Sequence, residues 1–365
     1  MRAKPQHLAR SPRSRAVVAI TLGVCLLVAS GGGSASAATA WKWSKPSTIR
    51  GMTGAVNGLS CPSASLCVAV SGTEVFWSTD PRGGGSTWKK ATLPRAFDAE
   101  GQPYVVDGVF CPSTSFCVAI DQFGNTYTSA DPSGGEGAWT LAEIDFQTYP
   151  SLESVSCASA ALCGVLDITG DALTTPSPGD TPPTWGSAKI KNVKASELNS
   201  QPEHDSISCV AGSASSLCAA VEGTREVAVS ADPRTAQPAW SMTKISNKLL
   251  NSLSCASTSL CVVGANSGQL LVSKNPAVAG SWRSTTIPSQ RSRNFEIVSC
   301  DSASVCLAIT EFGDGVLLST DPIAKASAWH SQGRIDMGSI TAASCTSKTL
   351  CFIGDSIDQV VVGRG

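Results

Sequence analysis

A pair of cysteines recurs seven times along the chain, and this repeat constrains the fold more than any other feature. Six copies carry five residues between the cysteines and continue into apolar residues, as in SCPSASLCVAV at 60–70; the fourth copy carries eight. The first cysteines of successive pairs are 45 to 52 residues apart. A period of this length matches one four-stranded β-propeller blade, whereas leucine-rich repeats are about 20–29 residues long.

A second element lies between consecutive cysteine pairs. Ser78-Thr-Asp-Pro81 leads to Trp88, and similar segments begin at Ser129, Ser230, Ser273 and Ser319, with a degenerate copy at Thr175. Asp before Pro favours a loop, because Pro cannot continue a hydrogen-bonded strand ladder. No stretch between these elements shows sustained helical periodicity. The pattern predicts an all-β, seven-bladed propeller of four-stranded antiparallel blades.

The two ends of the chain are expected to share the last blade. Seven cysteine pairs are present but only six Asp-Pro loops, and one strand, 358–363, follows the last pair. The missing Trp-led strand is found near the N-terminus, at Trp41-Lys-Trp43. We therefore expect the N-terminal strand to complete blade 7 and to close the ring. The alternatives are an open β-solenoid or separate small domains.

Residues 1–37 are typical of a secretory signal peptide, and 38–365 form the predicted propeller. Five basic residues and no acids precede a 14-residue apolar run at 16–29, and Ala35-Ser36-Ala37 is a suitable cleavage site. The run is short for a membrane span, so we expect none after cleavage. The alternative is an uncleaved anchor. The predicted location is secreted, extracellular or associated with the cell envelope.

The cysteines outside the signal segment form an even set in a chain expected to be secreted, which favours disulfides. Zinc sites usually need close Cys-x2-Cys pairs or nearby histidines, and here only His204 and His330 remain. We therefore predict no metal, no cofactor and seven local disulfides. The pairs are Cys61–Cys67, Cys111–Cys117, Cys157–Cys163, Cys209–Cys218, Cys255–Cys261, Cys300–Cys306 and Cys345–Cys351.

The charge balance argues against a nucleic-acid partner. Charged residues make up 15% of the chain, and cleavage after Ala37 leaves 22 basic against 28 acidic residues. A protein that binds nucleic acid usually shows a basic excess. We instead expect a protein or glycan partner and a monomeric chain.

The Ser-x-Asp … Trp element resembles the Asp-box repeat of sialidase-like and photosystem-assembly-factor-like β-propellers, over roughly Trp43 to Gly365. The low Lys and high Ala, Gly and Ser content resembles that of secreted actinobacterial proteins. In Asp-box propellers this turn stabilises the fold on the face opposite the ligand site. The resemblance thus implies that function lies at the turns between second and third strands and at the crossings between blades.

Acids and other polar residues mark those turns and crossings. Turn candidates for ligand binding are Asp121, Asp167, Glu222, Glu311 and Asp355, and crossing candidates are Tyr104, Tyr149, His204, Arg291 and Arg293. Variable loops on a regular scaffold often carry binding residues. The alternative is that these acids simply favour the turns.

Catalysis is not the leading expectation. Sialidases are expected to use an Arg-Ile-Pro arginine, two further arginines and a Tyr/Glu pair, whereas Arg50 lies in Thr-Ile-Arg-Gly and the chain has three tyrosines. We therefore expect a non-catalytic binding scaffold for a protein or a cell-envelope glycan. The alternatives are a glycoside hydrolase, sialidase-like or other, with carboxylates on the central face, and a purely structural envelope protein.

Overall fold

Each cysteine pair joins the first two strands of its own antiparallel sheet. The computed structural model describes residues 41–95, 97, 101–145, 151–191, 205–213, 215–302, 304–313, 315–335 and 337–365. The predicted signal peptide, Tyr149 and His204 lie outside the described residues. Within the described part, no helix reaches the length and apolarity that a membrane crossing requires.

Blades 1 to 3 each contain four strands in chain order. Blade 1 comprises β3 (Gly58–Ser63), β4 (Leu66–Ser71), β5 (Glu74–Ser78) and β6 (Lys89–Thr92). Blade 2 comprises β7 (Val106–Ser113), β8 (Phe116–Asp121), β9 (Asn125–Ser129) and β10 (Thr140–Glu143). Blade 3 comprises β11 (Leu152–Ser159), β12 (Leu162–Asp167), β13 (Asp171–Thr175) and β14 (Gly186–Lys189).

Blades 4 to 6 repeat this order. Blade 4 comprises β15 (Asp205–Ala211), β16 (Ser216–Glu222), β17 (Glu226–Ser230) and β18 (Ser241–Lys244). Blade 5 comprises β19 (Leu250–Ser257), β20 (Leu260–Ala265), β21 (Gln269–Ser273) and β22 (Arg283–Thr286). Blade 6 comprises β23 (Phe295–Ser302), β24 (Val305–Thr310), β25 (Val316–Ser319) and β26 (Trp329–Ser331).

Blade 7 joins the two ends of the chain, which confirms the predicted closure. It comprises β27 (Ile340–Ser347), β28 (Leu350–Asp355), β29 (Gln359–Arg364) and the N-terminal strands β1 (Lys42–Trp43) and β2 (Ser47–Thr48), both paired with β29. The first strand of each blade contacts the first strand of the next, and β27 contacts β3. The structure is therefore a closed seven-bladed propeller of antiparallel blades, as predicted.

All seven predicted disulfides are formed within their own blades. Each joins the first two strands, with Cα atoms 3.9–4.1 Å apart. In blade 3, for example, Cys157 and Cys163 lie directly opposite each other in the ladder. Reducing compartments keep thiols free, so this set of bridges indicates an oxidising environment.

The core lies between neighbouring blades. The second strand is fully buried in six blades, and in blade 4 six of its seven residues are. A buried Trp precedes or begins the fourth strand in several blades, such as Trp88, which is 2% exposed. One apolar cluster combines Ile49, Phe76 and Phe352, so it packs the closing segment against blades 1 and 7.

The Ser-x-Asp turns are held by serine. The backbone N–H of Asp80 donates to the Ser78 hydroxyl at 3.2 Å, and that of Asp131 donates to Ser129 at 3.1 Å. Asn275 and Asp321 make the same bond to Ser273 and Ser319. The hydroxyl thus satisfies the second amide after the third strand.

Candidate functional site

The strand order separates two faces of the ring. The cysteine hairpins and the Ser-x-Asp turns lie on one face, which we call the hairpin face. The turns between second and third strands and the crossings between blades lie on the other, the crossing face. This division follows from the alternating direction of antiparallel strands within each blade.

Three of the predicted acids hold turns on the crossing face. Asp121, Asp167 and Asp355 end the second strands of blades 2, 3 and 7, and each is 0% exposed. In blade 2, Asp121 Oδ1 accepts hydrogen bonds from the backbone N–H groups of Phe123 (2.9 Å) and Asn125 (3.0 Å). The carboxylate therefore satisfies amides that the tight turn leaves without a strand partner.

The other two acids repeat this geometry. Asp167 Oδ1 accepts from the N–H groups of Thr169 (2.9 Å) and Asp171 (2.8 Å). Asp355 Oδ1 accepts from Ile357 (3.0 Å) and Gln359 (2.7 Å), and its Oδ2 accepts from Gly338 N–H at 2.8 Å. These contacts give all three carboxylates a structural role.

Asp121 also organises a buried polar network. The Asn125 amide donates to both of its oxygens, and the Tyr127 hydroxyl donates to Oδ2 at 2.8 Å. Burial is the main cause that raises the pKa of the Tyr127 phenol above its ordinary value, and the charge on Asp121 is the second. Tyr127 is therefore a hydrogen-bond donor at neutral pH.

Glu222 occupies the same position in blade 4 but behaves differently. It ends β16, is 3% exposed, and neither carboxyl oxygen has a hydrogen-bond partner. Burial, and then the charge on Asp205, raises the pKa of Glu222 to about 8, although Lys191 acts in the opposite direction. The side chain is therefore mainly protonated at neutral pH.

A second acid near this position is also perturbed. Burial raises the pKa of Asp167 to about 6, against the lowering effect of its hydrogen bonds from Asp171 and Thr169. Asp171 in turn forms an ion pair with Lys189, with Oδ2 and Nζ 2.8 Å apart. Carboxylates are therefore concentrated where blades 3 and 4 meet.

A cavity of about 270 Å³ opens beside Glu222. Lys189, Ile190 and Lys191 line it from blade 3, and Glu222 and Met242 are among its lining residues in blade 4. Lys191 Nζ donates to the main-chain oxygen of Glu222 at 2.8 Å, which ties the two blades together. This interblade cavity combines charged, polar and apolar groups.

The candidates Glu311, Arg291 and Arg293 lie on the crossing face between blades 5 and 6. Asn294 Nδ2 donates to Glu311 Oε2 at 3.2 Å, and the main-chain oxygen of Arg293 accepts from Gly268 N–H at 2.7 Å. Arg291 is exposed at the end of a short 3-10 turn, Pro288–Gln290. Glu311, Arg291 and Arg293 are not among the residues that line the cavity beside Glu222.

Tyr104 belongs to a cluster that the sequence analysis did not identify. Its ring stacks on Phe123, with centroids 3.8 Å apart and planes at 10°. Phe123 is 38% exposed, Val105 38% and Phe97 50%, and Phe97 is bridged to Pro103. We call Phe97, Tyr104, Val105 and Phe123 the aromatic surface. The available sequence signal was the presence of large apolar residues both in this crossing and in the turn that follows it.

The centre of the hairpin face contains a polar cavity of about 360 Å³. The first strands of all seven blades line it, through Ser-Cys segments such as Ser60-Cys61 and Ser344-Cys345. Six serine hydroxyls of these first strands accept a backbone N–H from the next blade. Within the described residues, no group of three or more His, Cys, Asp or Glu side chains is arranged to hold a metal ion.

No protein-family model and no curated protein sequence matches this chain. Solved structures match the fold at low identity. "YCF48 bound to D1 peptide" is 13% identical, with a TM-score of 0.62 over 90% of this chain and 98% of that chain. YCF48 from Cyanidioschyzon merolae is also 13% identical, with a TM-score of 0.60 over 89% and 98%.

Two further structures show the same architecture. A chain in the crystal structure of the mitotic checkpoint complex is 9% identical, with a TM-score of 0.65 over 96% of this chain and 99% of that chain. The WD40 propeller domain of Doa1 is 10% identical, with a TM-score of 0.63 over 89% and 97%. These similarities establish a β-propeller, and its seven intrablade disulfides are a property of this chain.

Proposed function

We propose that this protein is a secreted, non-catalytic binding scaffold whose aromatic surface docks a segment of a partner protein. The observation that carries the proposal is the stacked Tyr104–Phe123 pair with Phe97 and Val105 exposed beside it. Aromatic side chains supply large contact areas and are enriched at binding interfaces. A cluster of exposed apolar residues on a rigid fold marks an interaction surface.

The similar structures support a protein partner. One of them is a YCF48 propeller bound to a peptide, and another belongs to a multiprotein complex. The disulfides support secretion, because an oxidising compartment is needed to form them. We also propose that residues 1–37 are cleaved and that the mature protein is a monomer. The proposal further includes a relationship to Asp-box β-propellers and an actinobacterial origin.

A glycoside hydrolase would need two carboxyl groups placed on either side of a scissile bond. Oδ1 of Asp121, Asp167 and Asp355 each accepts two backbone N–H groups, and Oδ2 of each accepts a further hydrogen bond. Among the acids that end the second strands in the described blades, Glu222 alone has two oxygens without partners. The geometry therefore favours binding over hydrolysis.

The test is selection of peptides from a displayed random library on the mature, oxidised protein. Selected peptides should lose at least tenfold affinity for Phe123→Ala and Tyr104→Ala. Ile323→Ala is the matched control, because Ile323 is 42% exposed on the hairpin face. Selected peptides that bind all three variants equally, or turnover of chromogenic glycosides, would overturn the proposal. A glycan array on the same protein separates a glycan partner from a protein partner.

A further inference from the structure

The turn after Glu222 is stabilised without the help of that residue. In blades 2, 3 and 7 an aspartate at the end of the second strand accepts two turn N–H groups. In blade 4 the Thr224 hydroxyl accepts the N–H of Glu226 at 3.1 Å. Glu222, one methylene longer than aspartate, is therefore released from turn stabilisation.

The buried Glu222 carboxyl group, which does not stabilise the turn, lowers the stability of the folded protein. Glu222 is 3% exposed and both of its oxygens lack a hydrogen-bond partner. A buried polar group without a partner loses its hydration and receives nothing in exchange. Proteins tolerate such destabilising groups mainly where a function uses them.

The interblade cavity beside Glu222 supplies the room for a ligand. Its volume of about 270 Å³ lies just below the usual range for small-molecule pockets, roughly 300–1,000 Å³. The cavity is therefore large enough for a ligand with one ring and too small for a chain of several rings. Ile190, Ala228 and Met242 provide apolar contact, and Thr224 and Lys191 provide polar groups.

The charges of the cavity favour a neutral ligand. Lys189 and Lys191 line it together with Glu226, so both signs of charge are present. Lys189 is already paired with Asp171, and Lys191 donates to the main-chain oxygen of Glu222. A ligand with a full charge would meet a like charge. A ring with several hydroxyl groups can donate to and accept from all of these groups and place its C–H face on the apolar wall.

We propose that the interblade cavity between blades 3 and 4 binds one neutral sugar ring, whose hydroxyl groups supply the hydrogen bonds that the Glu222 carboxyl lacks. The site is separate from the aromatic surface and does not depend on the function proposed for it. Burial keeps the Glu222 carboxyl protonated at neutral pH, so it both donates and accepts.

Methionine methyl NMR tests this proposal directly. The chain has four methionines, of which Met242 lines the cavity and Met52 is 3% exposed among residues of the blade 1 and blade 7 core. The mature, oxidised protein with 13C-labelled methionine methyls is titrated with glucose, galactose, mannose and N-acetylglucosamine. At least one sugar should shift the Met242 signal saturably and leave Met52 unchanged. No Met242 shift with any of the four would overturn the proposal.

Two substitutions separate binding from folding. Glu222→Gln keeps a donor and an acceptor, so the apparent affinity should stay within about threefold. Glu222→Met removes both, so binding should fall at least tenfold while the melting temperature rises. Ser71→Ala, at the equivalent position of blade 1, should bind normally. If Glu222→Met binds the sugar as tightly as the unchanged protein, with its fold verified by the melting curve, the proposal is contradicted.

Charged sugars test the preference of the cavity for a neutral ligand. Glucuronate and glucosamine should bind more weakly than the neutral sugar.

Discussion

The hydroxyl oxygen of Ser344 accepts a hydrogen bond of 2.9 Å from the backbone N–H of Cys61, a residue 283 positions earlier in the chain. The same bond links most neighbouring blades, because a serine precedes the first cysteine of six repeats. The six donor and acceptor pairs are Cys61 and Ser344, Cys111 and Ser60, Cys209 and Ser156, Cys255 and Ser208, Cys300 and Ser254, and Cys345 and Ser299. In blade 2 the serine is replaced by Phe110, which packs against the cluster around Cys157. In the six blades that contain it, the Ser-Cys dipeptide therefore forms a disulfide within the blade through its cysteine and a hydrogen bond to the next blade through its serine hydroxyl.

Removing the Ser344 hydroxyl should weaken the closure of the ring. Ser344→Ala leaves the Cys61 amide without its partner, which costs about 1–3 kcal/mol for a buried donor. Equilibrium denaturation of the oxidised protein measures the change. Ser65→Ala is the control, because Ser65 is exposed and its hydroxyl contacts only the Ser63 hydroxyl among the hydrogen bonds of the described residues. Equal stability of the two variants would show that the interblade bond contributes nothing.

The N-terminal segment should be essential for stability. Ile49 is 0% exposed and packs between blades 1 and 7, so Ile49→Ala should destabilise the fold by about 2–5 kcal/mol. Thermal unfolding of the mature protein checks this value. The control Ile323→Ala removes a side chain that is 42% exposed and should change the melting temperature by little. A small effect at Ile49 would argue against ring closure by this segment.

Removal of one disulfide should cost a modest, local amount. Cys255→Ala with Cys261→Ala opens a loop of seven residues, for which the chain-entropy account gives about 2 kcal/mol. Denaturant titration in the absence of reductant measures it. A complementary experiment reduces all seven bridges with dithiothreitol, which should lower the melting temperature much further. If the double substitution has no effect, the disulfide does not contribute to the stability of blade 5.

Stability should fall as the pH rises from about 4.5 to 8. The unfolded chain ionises Glu222 near 4.5, whereas the folded protein keeps its pKa near 8, so the folded state holds a proton that the unfolded state has lost. The folded state is therefore progressively disfavoured across this window and levels off above pH 8. Asp167, with its pKa near 6, adds a smaller effect of the same sign between about 4 and 6.

Denaturant titrations at several pH values check this dependence. Glu222→Gln should flatten the part of the slope between about pH 6 and 8, because no ionisable group remains at that position. Glu74→Gln is a suitable control, since Glu74 pairs with Lys90 on blade 1, far from the buried carboxyl. An unchanged slope in Glu222→Gln would show that other groups govern the pH dependence.

Loss of the Asp355 carboxylate should destabilise blade 7. Asp355→Ala removes the acceptor of three backbone N–H groups, and leaving such donors unpaired costs about 1–3 kcal/mol. Asp355→Asn keeps the oxygen that accepts from Ile357 and Gln359, so it should be milder. Hydrogen exchange of the Ile357 and Gln359 amides reports the turn itself. Slow exchange in Asp355→Ala would contradict the structural role of this side chain.

The repeat pattern was sufficient to predict the blades, the disulfides and the closing strand. The blades and the disulfides depend on contacts between residues close in sequence. The closing strand follows from the strand count, because the last blade lacks its fourth strand unless the N-terminal segment supplies it. The cysteines of each pair are six or nine positions apart, so a hairpin alone brings them together. Trp43 was recognised because it continues a motif that is otherwise missing from blade 7.

The candidate site was predictable in position but not in role. The sequence pattern is the same at Asp121, Asp167 and Glu222, where an acid ends a second strand. The role of the carboxyl group depends on whether a neighbour such as Thr224 stabilises the turn and on how deeply the side chain is buried. The stacking of Tyr104 on Phe123 likewise joins a crossing to a turn of the following blade.

The sequence by itself determined that seven disulfide-linked sheets form and that the chain ends meet, because local spacing and chain connectivity impose both. The tertiary structure decided which hydroxyl faces which amide across a blade boundary, which carboxyl is left without a partner and which apolar rings stay in water. Those outcomes depend on the distance and rotation between blades, which result from the packing of the whole ring and not from any one repeat.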